Sequence, residues 1–301
     1  MTSVSGQSGS AASEAIEQVI EPRIFERVKG FKLRRMLANA PTVGPFVLFD
    51  HFGPVTFGVG QGLDAGPHPH VGMATLTYLF EGSLLHRDSM GNAAPLTPGG
   101  ANWMVCGRGV AHSERTPPEA RQQESRLHGA QLWLALPRAH EEDAPHFAHY
   151  PATALPVLEE AGKKLRVIAG SFDGVRSPVG TLSDTLCVHA ELATGARLAL
   201  AATEHKERSL YVVSGEVALG GERLDSERLV ILKQGKAAVL AAHSPARLLL
   251  LGGERLDRKH MWSTVVVSTA ERIERAKADW SDGRIPSVVG ETDRGAFPSS
   301  M

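Results

Sequence analysis

Two short segments combine residue types and a spacing that could do chemistry. Pro67-His68-Pro69-His70 runs into an apolar stretch, and His112-Ser113-Glu114 follows about forty residues later. In an extended strand, side chains at i and i+2 point to the same face. His68 and His70 would therefore share one face, and so would His112 and Glu114. On neighbouring strands of a barrel the four would converge on one point. Three neutral imidazoles and one carboxylate suit a borderline divalent metal such as iron, copper, nickel, manganese or zinc. Octahedral geometry would leave two positions open, for substrate and dioxygen. A lone H-x-H on a Pro-rich loop is ordinarily decoration, and the second pair is what argues for a site.

The elements that must hold these residues are strands. The chain contains 31 Gly and 18 Pro among 301 residues, a turn-heavy mix that favours many short strands. From Arg23 to about Leu250, β-type runs alternate with Gly/Pro punctuation: Phe46–Phe49, a Gly/Pro-rich loop from Gly53 to Pro69, Ala74–Leu85 turning at Glu81-Gly82, then Asn102–Val105, Ala130–Leu136 and Leu165–Ser171. The second half continues with Cys187–Leu192, Arg197–Leu200, Leu210–Gly220, Arg228–Leu232 and Ala246–Leu251. One late helix is predicted, with Ser268 and Glu271 in capping-box spacing and Ile273, Ala276 and Trp280 on one face.

The pattern repeats. Tyr78-Leu79-Phe80-Glu81-Gly82-Ser83-Leu84 matches Tyr211-Val212-Val213-Ser214-Gly215-Glu216-Val217 at an offset of 133 residues. Two copies of one β-domain follow, meeting near residue 150. The expected organisation is a Ser/Gly/Ala-rich disordered leader over 1–20, a metal-binding domain over 21–150, and a metal-free domain with the helix and tail over 151–301. Shifting His68 and His70 by the same offset lands on Ala201 and Thr203, so the second copy has lost the ligands; His205 and His243 nearby are expected at the surface or rim.

Lys+Arg 32 against Asp+Glu 33 leaves no global basic footprint for nucleic acid. The basic run with Lys29, Lys32, Arg34 and Arg35 is expected on a solvated edge strand. Two cysteines, Cys106 and Cys187, argue against a disulfide framework. The first 15 residues lack the basic and apolar regions of a secretory signal, and no apolar run reaches the ~18 residues of a membrane span. A cytoplasmic protein is expected. No nucleotide-binding fingerprint, P-loop or nucleophile elbow occurs. Asp50 and His51 are candidates for contacts near the cavity or for loop support, His86 for a surface hydrogen bond, and His128 for a structural role. Tyr78, Phe80, Trp103 and Met104 are expected in barrel core.

Over nearly its whole length the chain resembles the pirins, members of the cupin superfamily. The resemblance is carried by Asp50-His51-Phe52-Gly53-Pro54, Pro67-His68-Pro69-His70-Val71-Gly72, Gly82 to His86 with Asp88-Ser89-Met90-Gly91-Asn92, Gly107 to Glu114, Leu127 to Trp133, and the tail Glu271 to Trp280. It implies an all-β bicupin, two antiparallel barrels packed together, with metal in the first only. It implies His68, His70, His112 and Glu114 as ligands, normally around Fe(2+). The general cupin pattern has a Glu soon after the H-x-H; Thr75 stands there, and the pirin pattern places the carboxylate at Glu114 instead. Two functions are implied. One is quercetin 2,3-dioxygenase activity, opening a flavonol ring with O2 and releasing CO, with Glu114 as general base and substrate contacts from the loop between Phe52 and Pro69. The other is an iron-dependent regulatory protein that binds a transcription regulator or a metabolic enzyme.

Overall fold

The computed structural model describes residues 14–28, 30–257, 259–295 and 297. Each half of the chain forms a large and a small antiparallel sheet. In the first, the large sheet runs His146–Tyr150, Ala101–Val105, Met73–Glu81, Ser125–Ala135, Phe46–Phe57, Phe31–Val43, Arg23–Val28. The small sheet runs Asp64–His70, Val110–Arg115, Leu84–Asp88, Ala93–Leu96. The second half repeats this order, with Glu207–Ser214, Ala246–Gly253, Thr185–Leu192 and Lys163–Phe172 central in its large sheet, and Arg197–Leu200, Ala238–Ala242, Val217–Leu219, Glu222–Leu224 in its small one. The fold is all-β, a pair of cupin barrels with, among the described residues, one long helix, Ala270–Ser281.

The two large sheets pack against each other. One buried cluster holds Leu37, Phe46, Phe49 and Trp103 from the first barrel with Ile168, Cys187, Tyr211 and Leu249 from the second. Tyr78, Phe80 and Trp103, expected in barrel core, fill the seam between the barrels instead; Met104 packs in a separate cluster with Met73 and Trp133. The repeat is visible in the seam's polar contacts. Tyr78 of the first barrel shares a hydrogen bond with His189 of the second (2.8 Å), and Tyr211 of the second shares one with His51 of the first (2.7 Å). Both tyrosines hold the same place in the repeated hairpin. His51 also meets His128 at 2.7 Å.

Several expectations need correction. Residues 1–13 of the expected leader lie outside the described residues, but Ile16–Ile20 is a strand paired with Leu229–Leu232 at the edge of the second barrel's large sheet. Arg34 and Arg35 are buried, not solvated: Arg35 binds both oxygens of Asp50 (2.7 and 2.6 Å), and Arg34 binds the Gly53 carbonyl and Glu227. Asp50 thus supports the sheet, Lys32 is exposed, and Lys29 lies outside the described residues. His205 is also buried, between Asp184 and the Ser171 carbonyl. The helix is capped by Thr269, whose hydroxyl accepts from Arg272 N, while Ser268 turns to Glu141 and Lys259. Its buried face, Ile273, Ala276 and Trp280, is the predicted one.

The seam makes stability depend on pH. Burial, with the charges of Arg247 and Arg166, pushes His189 down to about 3, and burial lowers His128 to about 4. In the unfolded chain both titrate near 6.5. Below about pH 6.5 the unfolded state takes up protons that the folded state refuses, so stability falls as pH falls toward those values. Urea midpoints measured from pH 7 to pH 4.5 should decline, and His128→Gln/His189→Gln protein should decline less steeply. Parallel pH profiles would exclude these two groups as the cause.

Candidate metal centre

The small sheet of the first barrel brings the two histidine segments together. Asp64–His70 pairs antiparallel with Val110–Arg115 so that His68 lies opposite His112, and a register shift between His112 and Glu114 admits the carboxylate. Ring centroids of His68, His70 and His112 lie 4.6 to 4.9 Å apart. Their nitrogens fall within 4.8 Å of one another, close enough to share one ion. Glu114 joins a second such trio, with His112 and His86. The two trios overlap at His112.

Each side chain is held from behind. His68 Nδ1 donates to the Gly66 carbonyl at 2.8 Å, which leaves its Nε2 lone pair free. His70 packs edge-on against Trp133, and its buried Nδ1 has no hydrogen-bond partner. Thr77 Oγ1 lies 2.8 Å from both Glu114 Oε1 and Gln131 Oε1. A hydroxyl has one proton, and the charged acceptor takes it; the Gln131 amide must then turn its NH2 to Thr77. His70 and His112 are buried, whereas His68 and Glu114 are half-buried, so the cluster meets solvent on their side. Burial lowers the pKa of all three histidines, and for His68 the Gly66 carbonyl and Glu114 oppose it only in part. Neutral imidazoles beside a carboxylate are a donor set that fits a divalent transition metal.

The second barrel supplies a control. The inward positions of its small sheet are Leu198, Leu200, Leu240, Ala242, Val217 and Leu219, all in its apolar core. The 133-residue shift to Ala201 and Thr203 overshoots, because the strand ends at Leu200. In the second barrel the same architecture is filled with aliphatic side chains.

Matches to known proteins follow the two barrels. The family model described as Pirin matches residues 28–134, and that of the Pirin C-terminal cupin domain matches residues 187–286. The chain belongs to the pirin family. A "Pirin-like protein" of Caulobacter vibrioides is 40% identical over 274 residues, 90% of this chain and 92% of the relative. Two solved structures of quercetin 2,3-dioxygenase from Acinetobacter baumannii superpose with TM-scores of 0.86 and 0.83, at 30% and 25% identity. The first covers 96% of both chains; the second covers 90% of this chain and 98% of its own. Among the described residues, no helix of this pirin is long and apolar enough to cross a membrane.

Two candidates sit elsewhere than expected. His51 lies in the seam, bonded to Tyr211 and to His128, which has the structural role expected of it. His86 is not at the surface: it is 2% exposed inside the first barrel, 3.4 Å from His112, and stacked on Phe147. Its signal was the H-x-D spacing on a strand, which puts His86 and Asp88 on one face. Sequence reasoning also missed the outer brace. Ser113 and Arg115, which alternate with the inward residues, both bind Glu291 of the C-terminal tail (2.8 and 2.9 Å). Thr264 Oγ1 donates to the Pro69 carbonyl. Gly295, at φ 72°, lies so near the Pro67 carbonyl that a Cβ would come within 1.9 Å of its oxygen. Gly295→Ala should therefore lift the tail from the Asp64–His70 strand, read as faster proteolytic release of the C-terminal segment. Unchanged cleavage would show that the tail is not held there.

Proposed function

We propose that this pirin is a metal-dependent dioxygenase of the quercetin 2,3-dioxygenase type, with His68, His70, His112 and Glu114 holding one divalent metal, Fe(2+) in the first instance. The observation that carries the proposal is the buried three-imidazole cluster with an adjacent carboxylate, in the one barrel of two whose interior is polar. The likeness to the two Acinetobacter structures supports the substrate class, a flavonol.

When bound, the metal would supply Lewis acidity that lowers the pKa of the flavonol 3-hydroxyl. In this reading Glu114 takes that proton; its half-buried position toward solvent and its contact with the Thr77 hydroxyl support the role. The Gly66 carbonyl fixes the ring of His68, and Trp133 walls the ring of His70, so the imidazoles keep their orientation while the proton moves. The net reaction consumes one O2 and releases one CO from the opened ring.

The deciding experiment is oxygen uptake by anaerobically iron-reconstituted protein given quercetin, with metal content measured alongside. Wild type should take up O2 and release CO. His68→Ala and Glu114→Ala proteins should each lose most of the stoichiometric metal and the uptake with it. Full metal in both variants would sink the ligand assignment. No uptake from wild type holding one iron would overturn the catalytic proposal in favour of a regulatory protein, with a pull-down for partners as the next step.

A further inference from the structure

His86 lies against the proposed ligands but is not needed to complete them. Its strand, Leu84–Asp88, pairs with Val110–Arg115 so that His86 faces Glu114 and Asp88 faces His112. One edge of the imidazole meets Asp88 (Nε2 to Oδ2, 3.1 Å) and the other meets His112 (Nδ1 to Nδ1, 3.4 Å). The ring lies flat on Phe147, 4.1 Å between centroids and 8° from parallel, which restrains it from swinging away. Asp88 is fully buried and surrounded by donors. Its Oδ1 accepts from the backbone N–H groups of Met90 (2.9 Å) and Asn92 (3.0 Å), and Asn92 Nδ2 reaches both oxygens.

The direction of the chain of hydrogen bonds follows from this. A carboxylate ringed by donors acts as acceptor, so the proton shared with His86 sits on His86 Nε2. A neutral imidazole has one N–H, so His86 Nδ1 carries a lone pair. The contact to His112 then requires the proton on His112 Nδ1, which leaves the Nε2 lone pair of His112 free. We propose that Asp88 and His86 form a relay that sets the tautomer of His112 and presents its Nε2 to a divalent metal. They are positioning residues, and the relay rests on the assignment of His112 as a ligand. It has the logic of the carboxylate–histidine pairs that orient metal ligands in general, extended by one ring. In the second barrel the inward positions on the corresponding strand are Val217 and Leu219, so the relay is absent where the ligands are absent.

Asp88→Asn reverses the relay, with the Asn92 side-chain amide, whose Nδ2 lies 2.8 Å from Oδ2, turning its oxygen to the new NH2. The Met90 and Asn92 amides would keep an oxygen at the Oδ1 position, turning the new NH2 toward His86 Nε2. His86 would then donate from Nδ1, and His112 would carry its proton on Nε2, where the metal must bind. The tautomer is read in metal-free protein by long-range 1H–15N correlation of the imidazole rings, and affinity by Zn(2+) competition against a chelator. Wild type should show His112 protonated at Nδ1, and Asp88→Asn protonated at Nε2 with Zn(2+) affinity lower by about 10- to 100-fold. His86→Leu leaves the Asp88 turn intact and should lose affinity in the same range, on the same basis. His86→Gln, whose amide oxygen can accept from His112 Nδ1, should stay close to wild type. Wild-type affinity and tautomer in both Asp88→Asn and His86→Leu would overturn the relay while leaving the metal centre standing. Equal losses in His86→Gln and His86→Leu would overturn it in favour of His86 as a direct ligand. Failure of wild type itself to bind Zn(2+) would overturn the metal centre and the relay together.

Discussion

The site depends on one antiparallel pairing, Asp64–His70 against Val110–Arg115. Because side chains alternate across a strand, a slip of one residue would turn His68 and His70 outward and bring Pro67 and Pro69 in. The pairing is held from outside the barrel. Thr264 takes the Pro69 carbonyl, and Glu291 takes Ser113 and Arg115. Gly295 lies on the Pro67 carbonyl. These contacts are made to groups that alternate with inward ones, so the C-terminal segment constrains the inner face largely from outside, while the Thr264 main chain also lies against His70. Pro67 and Pro69 lack N–H groups and so weaken their own ladder. This is a physical reason why a strand of this composition needs an outer brace.

The seam between the barrels divides the work. The exchanged Tyr78–His189 and Tyr211–His51 contacts are the same joint made twice, as expected if both barrels derive from one unit. The joint serves packing in both directions. The small sheets, on the far sides of the seam, have diverged: one is packed with leucine and valine, the other carries imidazoles and carboxylates. Large sheets whose faces are committed to the seam leave the small sheet free to change chemistry, since its substitutions do not reach the interface.

The fold and the convergence of the histidines were legible because both rest on period-two alternation and on turn residues, which are local properties of the chain. The hairpin repeat showed two copies, and H-x-H with H-x-E showed one inward face. What escaped depended on partners distant in sequence. Arg34 and Arg35 read as a solvated basic edge because Asp50, Gly53 and Glu227 are invisible to a local pattern. Ile16–Ile20 read as leader because its partner, Leu229–Leu232, is some two hundred residues away. The cap moved from Ser268 to Thr269 because Glu141 and Lys259 claim the serine. His86 was misplaced for a different reason: its H-x-D spacing carried the same inward logic as H-x-H, but a carboxylate two residues on looks like a surface pair until Asp88 is seen to be fully buried.

Burial of these groups also says what the site costs. Placing three imidazoles and a carboxylate in a barrel interior is unfavourable next to the leucines of the second barrel, since buried polar groups need partners that aliphatic groups do not. The structure leaves part of that demand unmet: His70 Nδ1 is buried without a partner. A polar cluster persists in such a place only if the surrounding structure holds it against repacking, and function accounts for local arrangements that stability alone would not keep. Here the holding comes from three directions: Thr77 from the large sheet, the Asp88–His86 chain from the neighbouring strand, and the C-terminal tail from outside. The long-range contacts that were hardest to read from the sequence are the ones that let its most legible motif exist in the fold.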